Sequence, residues 1–108
     1  MADELNYADD VNRYASPADE AAVTGIVKHL GIALRSRDAN LVSCSDKTEL
    51  DRVRESWCKK KLAVADDDAT IDAAIASVCA TMKEDRTKQR VTFYYLLAQH
   101  YGKLADLH

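Results

Sequence analysis

The stretch ATIDAAIASVCATM, residues 69–82, decides the fold class, because ten of its fourteen residues are apolar and it contains neither Gly nor Pro. A helix with apolar residues on nearly every side is expected to be buried on nearly every side. The sequence therefore predicts a central helix over residues 69–84. Its main apolar stripe recurs at helical spacing and consists of Ile71, Ala74, Ile75, Val78 and Met82.

Further amphipathic segments lie on both sides of this stretch. Helical spacing of apolar residues predicts helices over residues 3–15, 17–35, 47–62 and 88–105. Three Gly and one Pro in 108 residues are too few for the tight turns of an all-β fold. We therefore expect an all-α fold, a compact bundle of four to five helices. It forms a single domain over residues 1–108, with residues 1–15 as a loosely attached N-terminal helix.

Local signals mark where the predicted helices begin. Ser16 is the expected cap of the second helix, with Pro17 in its first position. Asp46 and Glu49 resemble a capping box at the start of the third. Gly25 lies inside the second predicted helix, as does Gly31, and Gly disfavours helix. Close approach of a neighbouring helix is the expected reason for both glycines.

The last predicted helix carries two apolar stripes, and a small bundle cannot bury both against one core. The first stripe consists of Val91, Tyr94, Tyr95, Ala98 and Tyr101, and the second of Phe93, Leu96, Leu97 and Leu104. Either the N-terminal helix covers the second stripe, or that stripe is a self-association surface. Tyrosine is enriched at protein interfaces. The sequence thus offers a candidate interface, for a homodimer or an unknown protein partner, at Tyr95, Leu96 and Tyr101.

Charge, hydropathy and cysteine spacing argue against nucleic-acid binding, a membrane span and secretion. A net charge of −3 argues against general nucleic-acid binding. No apolar run approaches the length of a membrane span, and the acidic N-terminus does not resemble a secretory signal. The three cysteines form no CxxC pair, so we expect reduced thiols and a cytoplasmic location. Cys79 is expected to be a small core residue.

Enzyme motifs are missing from the sequence. It has no HExxH, GxSxG or phosphate-binding GxxxxGK[ST] pattern, and its three histidines lie far apart. His29 borders an apolar stripe and is expected to be structural. Cys58, before three lysines, is the one candidate reactive thiol, and an inert buried thiol is the preferred alternative. We expect no enzyme, no metal and no cofactor.

Basic residues give the one candidate ligand site. Lys59–Lys61 is explained by its place at a helix C-terminus. At the start of the last helix, with Thr87 as the expected cap, cations oppose the helix dipole but suit an anion. An anionic ligand or acidic partner is therefore one hypothesis, and ion pairs to Glu84, Asp85 or the acidic N-terminus are the alternative. The residues proposed for this site are Arg35, Arg37, Arg86, Lys88 and Arg90.

A DNA-binding helix-turn-helix is a remote alternative. The short linker before the last helix fits that motif, but the helix has few polar side chains for base edges.

Three runs resemble a family of small bacterial proteins known only as a domain of unknown function. They are EAAVTGIVKHLGIALRSRDANLVSCSD, ESWCKKKL and RVTFYYLLAQHYGKL, and the resemblance extends over nearly the whole chain. It implies a bacterial, cytosolic, single-domain protein and carries over no activity, cofactor or catalytic residue. The leading interpretation is a small non-catalytic interaction or regulatory domain. An anion- or nucleotide-binding domain is the alternative.

Overall fold

The computed structural model describes residues 7, 9–15, 17–31, 41–84 and 88–107. Within these residues the chain is helical and contains no strand, so the predicted all-α class is confirmed. A helical turn over residues 9–12 precedes the named elements. These are α1 (Glu20–Leu30), α2 (Lys47–Arg52), a π-helix (Val53–Lys61), α3 (Asp68–Thr81), α4 (Arg90–His100) and a 3₁₀ helix (Leu104–Leu107). None of the described helices combines the length and the apolar character that crossing a bilayer requires.

The central helix is α4 rather than α3. All residues from Arg90 to Ala98 are buried, whereas α3 leaves Ala73 and Ala76 exposed. The prediction of a central helix over residues 69–84 is therefore wrong. The prediction treated alanine as a core residue. In α3, however, several alanines lie on the surface, where they stabilise the helix through their high helix propensity.

The N-terminal segment contacts α4. The Tyr95 hydroxyl accepts a hydrogen bond from the backbone N–H of Asp19 at 2.8 Å, and the Thr92 hydroxyl donates one to Asp10. Val11 has no exposed surface. In the second apolar stripe of the last predicted helix, Phe93, Leu96 and Leu97 are buried within the chain, so a self-association surface is wrong for these residues. The expected loose attachment does not hold for Asp10 and Val11, because both contact the core.

Helix α1 begins later and ends earlier than predicted. Asp19 is its N-cap, and the carboxylate accepts from the backbone N–H of Ala22 at 3.2 Å. Pro17 lies ahead of the helix rather than in its first position, and the expected cap Ser16 lies outside the described residues. Gly31 ends the helix with a φ of +47°, a left-handed conformation that favours glycine. Gly31 is thus the C-cap of α1, and the expectation that it permits close approach of a neighbouring helix is wrong.

Gly25 is where the 3₁₀ helix approaches α1. A Cβ atom at Gly25 would collide with the backbone carbonyl oxygen of Leu107. The expected reason for this glycine, close approach of a neighbouring helix, is confirmed. The contact brings the C-terminal part of the chain to the C-terminal half of α1, beside the site described below.

The π-helix was not predicted. Asp46 caps α2 as expected, its carboxylate accepting from the backbone N–H of Glu49 at 3.3 Å, but the helix widens from Val53 onward. The Leu62 N–H then bonds the Trp57 carbonyl, five residues back, at 2.8 Å. Trp57 is fully buried and its indole N–H donates to the Tyr94 carbonyl at 3.1 Å. Such widened helices are often found at functional sites.

A disulfide joins the segment before α2 to the C-terminal half of α3. It links Cys44 to Cys79, with 6.0 Å between the Cα atoms, within the usual range for a disulfide. The prediction of reduced thiols is wrong for this pair, and Cys79 is not a free core thiol. Spacing in the sequence gave no sign that residues 35 positions apart would meet.

Candidate functional site

The anion site predicted at the start of the last helix does not assemble around Arg90. This side chain is buried, with 9% of the residue exposed. Its guanidinium donates to Glu49, to the Leu41 carbonyl at 3.2 Å and to the Tyr94 hydroxyl at 3.1 Å. The prediction is therefore wrong for Arg90, because internal acceptors already occupy its donors.

Of the other members of that predicted site, only Lys88 lies within the described residues. Lys88 is half-buried and its carbonyl accepts from the Val42 N–H at 2.8 Å, in the short bridge between residues 41–42 and 88–89. Arg35, Arg37 and Arg86 lie outside the described residues. The expected cap Thr87 lies outside them too, and the N-cap of α4 is Gln89.

The predicted interface on the last helix is wrong for two of its three residues. Tyr95 is 1% exposed and Leu96 is 8% exposed, both packed within the same chain. Tyr101 is partly exposed. Burial also argues against a recognition helix for DNA, because residues buried without a break along most of α4 cannot reach base edges.

The candidate reactive thiol, Cys58, is buried in the core. Cys58 has no exposed surface, and burial, with a smaller effect of Asp72, raises the pKa of its thiol to about 12. The lysines that follow it do not form a thiolate-stabilising environment, because the thiol lies in the core. The preferred alternative, a buried structural cysteine, fits this position.

Of two cavities on the described surface, the larger has mixed charge. It measures about 550 Å³ and lies between the N-terminal segment and the end of α3. Arg13 on its wall already pairs with Asp10 at 2.5 Å, and Glu84 brings a negative charge to the same wall. With Lys83 also on the wall, this cavity carries charges of both signs.

The smaller cavity measures about 360 Å³ and lies where α1, the end of the π-helix and the 3₁₀ helix meet. Such a volume falls within the range of small-molecule pockets. Four of its lining side chains can donate hydrogen bonds and none is acidic. We call it the basic cavity; those four side chains are Thr24, Lys28, His29 and Lys61, and the remaining wall is Ala21, Gly25 and Leu107.

Two helix ends place the cations of the basic cavity. Lys28 and His29 lie in the last turn of α1, and Lys61 is the last residue of the π-helix. Cations are favourable at helix C-termini. Gly25 then allows the 3₁₀ helix to approach closely enough to form the third wall. Local helix-ending signals and one close approach therefore bring three basic side chains together.

The charges of the basic cavity are not neutralised within the described residues. Other cations of this region have acidic partners: Lys59 pairs with Glu55 at 3.0 Å and with Asp68 at 2.5 Å. In the described part of the chain, no acidic side chain forms an ion pair with Lys28 or Lys61. A protein of net charge −3 thus keeps a local positive potential here.

His29 links the basic cavity to the core. Its ring centroid lies 5.3 Å from that of Trp57, with the rings tilted by 49°. Partial burial, and then the charge of Lys61, lower the pKa of His29. The imidazole is therefore neutral at neutral pH and offers one N–H donor.

The donor set of the basic cavity is suited to binding an anion. Its wall contains no Cys, Asp or Glu, and no group of metal-ligating side chains occurs among the residues that the structure describes. The sequence did not identify this site: His29 was expected to be structural and Lys59–Lys61 to serve a helix end. Neither signal could show that the two helix ends converge.

Comparison with known proteins gives a family without a described activity. The family model DUF2853, a protein of unknown function, matches residues 6–105. No curated protein matches the chain.

Proposed function

The chain belongs to the DUF2853 family, and since that family has no known function, we propose from the chain's own geometry that it is a small non-catalytic regulatory domain that binds an anionic ligand. The ligand occupies the basic cavity. The observation that carries the proposal concerns the described residues: a pocket-sized cavity has four donor side chains on its wall and no acid, and its two lysines have no ion-pair partner within that part of the chain.

The charge pattern favours an anion over a neutral ligand. Bringing Lys28 and Lys61 to one cavity costs electrostatic energy, and a bound anion removes that cost. Thr24 and His29 add neutral donors that can complete the coordination of phosphate or sulfate oxygens. The function thus moves from the predicted start of the last helix to the end of α1.

The rest of the proposal concerns origin and location. The resemblance implies a bacterial protein, and we propose a cytoplasmic one. Disulfides such as Cys44–Cys79 are uncommon in the cytoplasm, where thiols are normally kept reduced. Subcellular fractionation tests the location directly: we expect the protein in the cytoplasmic fraction, and recovery outside that fraction would contradict the proposal.

Thermal unfolding in the presence of sodium sulfate or pyrophosphate tests the anion site. A ligand that binds only the folded state raises the melting temperature in proportion to its affinity. Sulfate also stabilises proteins by exclusion from their surface, so variants must separate the two effects. Lys61→Gln and Lys28→Gln should lose most of the saturable stabilisation.

Lys60→Gln is the matched control. Lys60 is exposed, lies in the same last turn of the π-helix and does not line the cavity. Its variant loses the same charge from the same helix end and should keep the response of the unmodified protein. Equal responses from Lys60→Gln and Lys61→Gln, or no saturable response in any protein, would contradict the proposed function.

A further inference from the structure

The place of His29 among the cations of the basic cavity has a consequence for ligand binding. Among the residues that the structure describes, His29 is the only group on the cavity wall that titrates near neutral pH. Within the same residues, the charged side chains that face it are Lys28 from α1 and Lys61 from the π-helix. The described part of the 3₁₀ helix contributes only Leu107 to the wall, and α4 contributes nothing.

Both neighbours of His29 are positive, so a proton on its ring is unfavourable while the cavity is empty. Partial burial acts in the same direction, and the pKa of His29 is accordingly lowered. A bound dianion reverses the balance, because it places two negative charges among the three basic side chains. Protonation and anion binding then favour one another by linkage.

We infer that the basic cavity takes up its anion together with a proton on His29, so that binding strengthens as the pH falls. This inference rests on the proposed function and adds its regulation: the cavity responds jointly to the concentration of a dianion and to pH. The class of ligand that fits is a small oxyanion with two charges, such as a phosphate or sulfate group.

Sulfate is the probe for this inference, because it remains doubly charged across the range in which His29 titrates. A unit charge added about 5 Å from a dianion in a largely aqueous environment changes affinity roughly tenfold. Calorimetric titration should therefore show sulfate binding that strengthens as the pH falls from about 7.5 and that approaches roughly a tenfold gain once the pH is below the pKa of His29 in the empty protein, with proton uptake detected by changing the buffer.

The histidine resonances in NMR spectra give a second readout. Saturating sulfate should raise the measured pKa of His29 by about one, which is the linkage equivalent of a tenfold change in affinity. His100 is an internal control, because it is exposed, contacts Tyr101 and does not line the cavity. Its ring resonances should not shift when sulfate is added at constant pH.

His29→Gln separates the two proposals. This variant lacks the titrating group and should therefore lose the gain in sulfate affinity on acidification. Sulfate binding that depends on Lys61 and has the same pH dependence with and without His29 would overturn the proton-coupled binding and leave the anion site intact. Failure of sulfate to bind at any pH would overturn both.

Discussion

Replacing Glu49 by Gln tests why Arg90 is not a ligand site. The exposed fractions of the two side chains are 11% for Arg90 and 14% for Glu49, so the pair is largely out of water. Removing one charge of such a pair leaves the other buried without compensation, which costs about 3 to 5 kcal/mol. Gln keeps a hydrogen-bonding oxygen, and Arg90 keeps the Leu41 and Tyr94 acceptors. We therefore expect the lower end, a loss of about 3 kcal/mol.

Urea unfolding followed by Trp57 fluorescence measures this loss. Trp57 is the one tryptophan of the chain and is fully buried, so its emission reports global unfolding. Glu55→Gln is the control, because Glu55 also pairs with cations but has 53% of its side chain exposed. Exposed pairs contribute at most about 1 kcal/mol. Equal destabilisation by the two variants would refute the assignment of Arg90 to a buried structural pair.

Three further outcomes test the fold. Gly25→Ala should destabilise the protein by about 1 to 3 kcal/mol in thermal melts, because the new Cβ would collide with the Leu107 carbonyl oxygen. Helix propensity alone predicts a stabilised variant, and that result would refute the close approach. Replacing Cys44 and Cys79 together by Ser should lower the free energy of unfolding in urea by about 3 to 4 kcal/mol, as expected for a loop closed by residues 35 positions apart. Unchanged stability, together with free thiols at both positions in the parent protein, would contradict the disulfide. Cys58 should react with a thiol reagent far more slowly than a small thiol, since its thiol is buried and its pKa is raised to about 12; labelling at the rate of a small thiol would contradict its burial.

Local sequence patterns predicted the helices but not their roles. The cap at Asp46 and the helical spacing of residues 69–82 correspond to observed elements. The prediction that α3 is the central helix was wrong because α3 and α4 are both rich in apolar residues. Helical spacing alone does not show that alanines of α3 are exposed while the aromatic residues of α4 are buried. The π-helix also depends on packing: its widened turns accompany the insertion of Trp57 against Tyr94.

The candidate site was beyond sequence reasoning for a related reason. Arg90 looked suited to an anion because its position opposes the helix dipole, yet the compensating charge comes from Glu49, 41 positions away in the chain. Lys61 looked fully explained by its helix end. Contacts between residues far apart in the chain decide whether a cation pairs with an acidic side chain or lines a cavity without such a pair. Composition and periodicity do not predict these contacts.

The most direct test of the anion site is an NMR titration of the ¹⁵N-labelled protein with sulfate. The account predicts saturable shifts of the backbone amides around Thr24–His29 and Lys61, with the amides at the start of α4 unchanged. Shifts centred on Lys88 and Arg90, or shifts spread evenly over the surface without saturation, would contradict it.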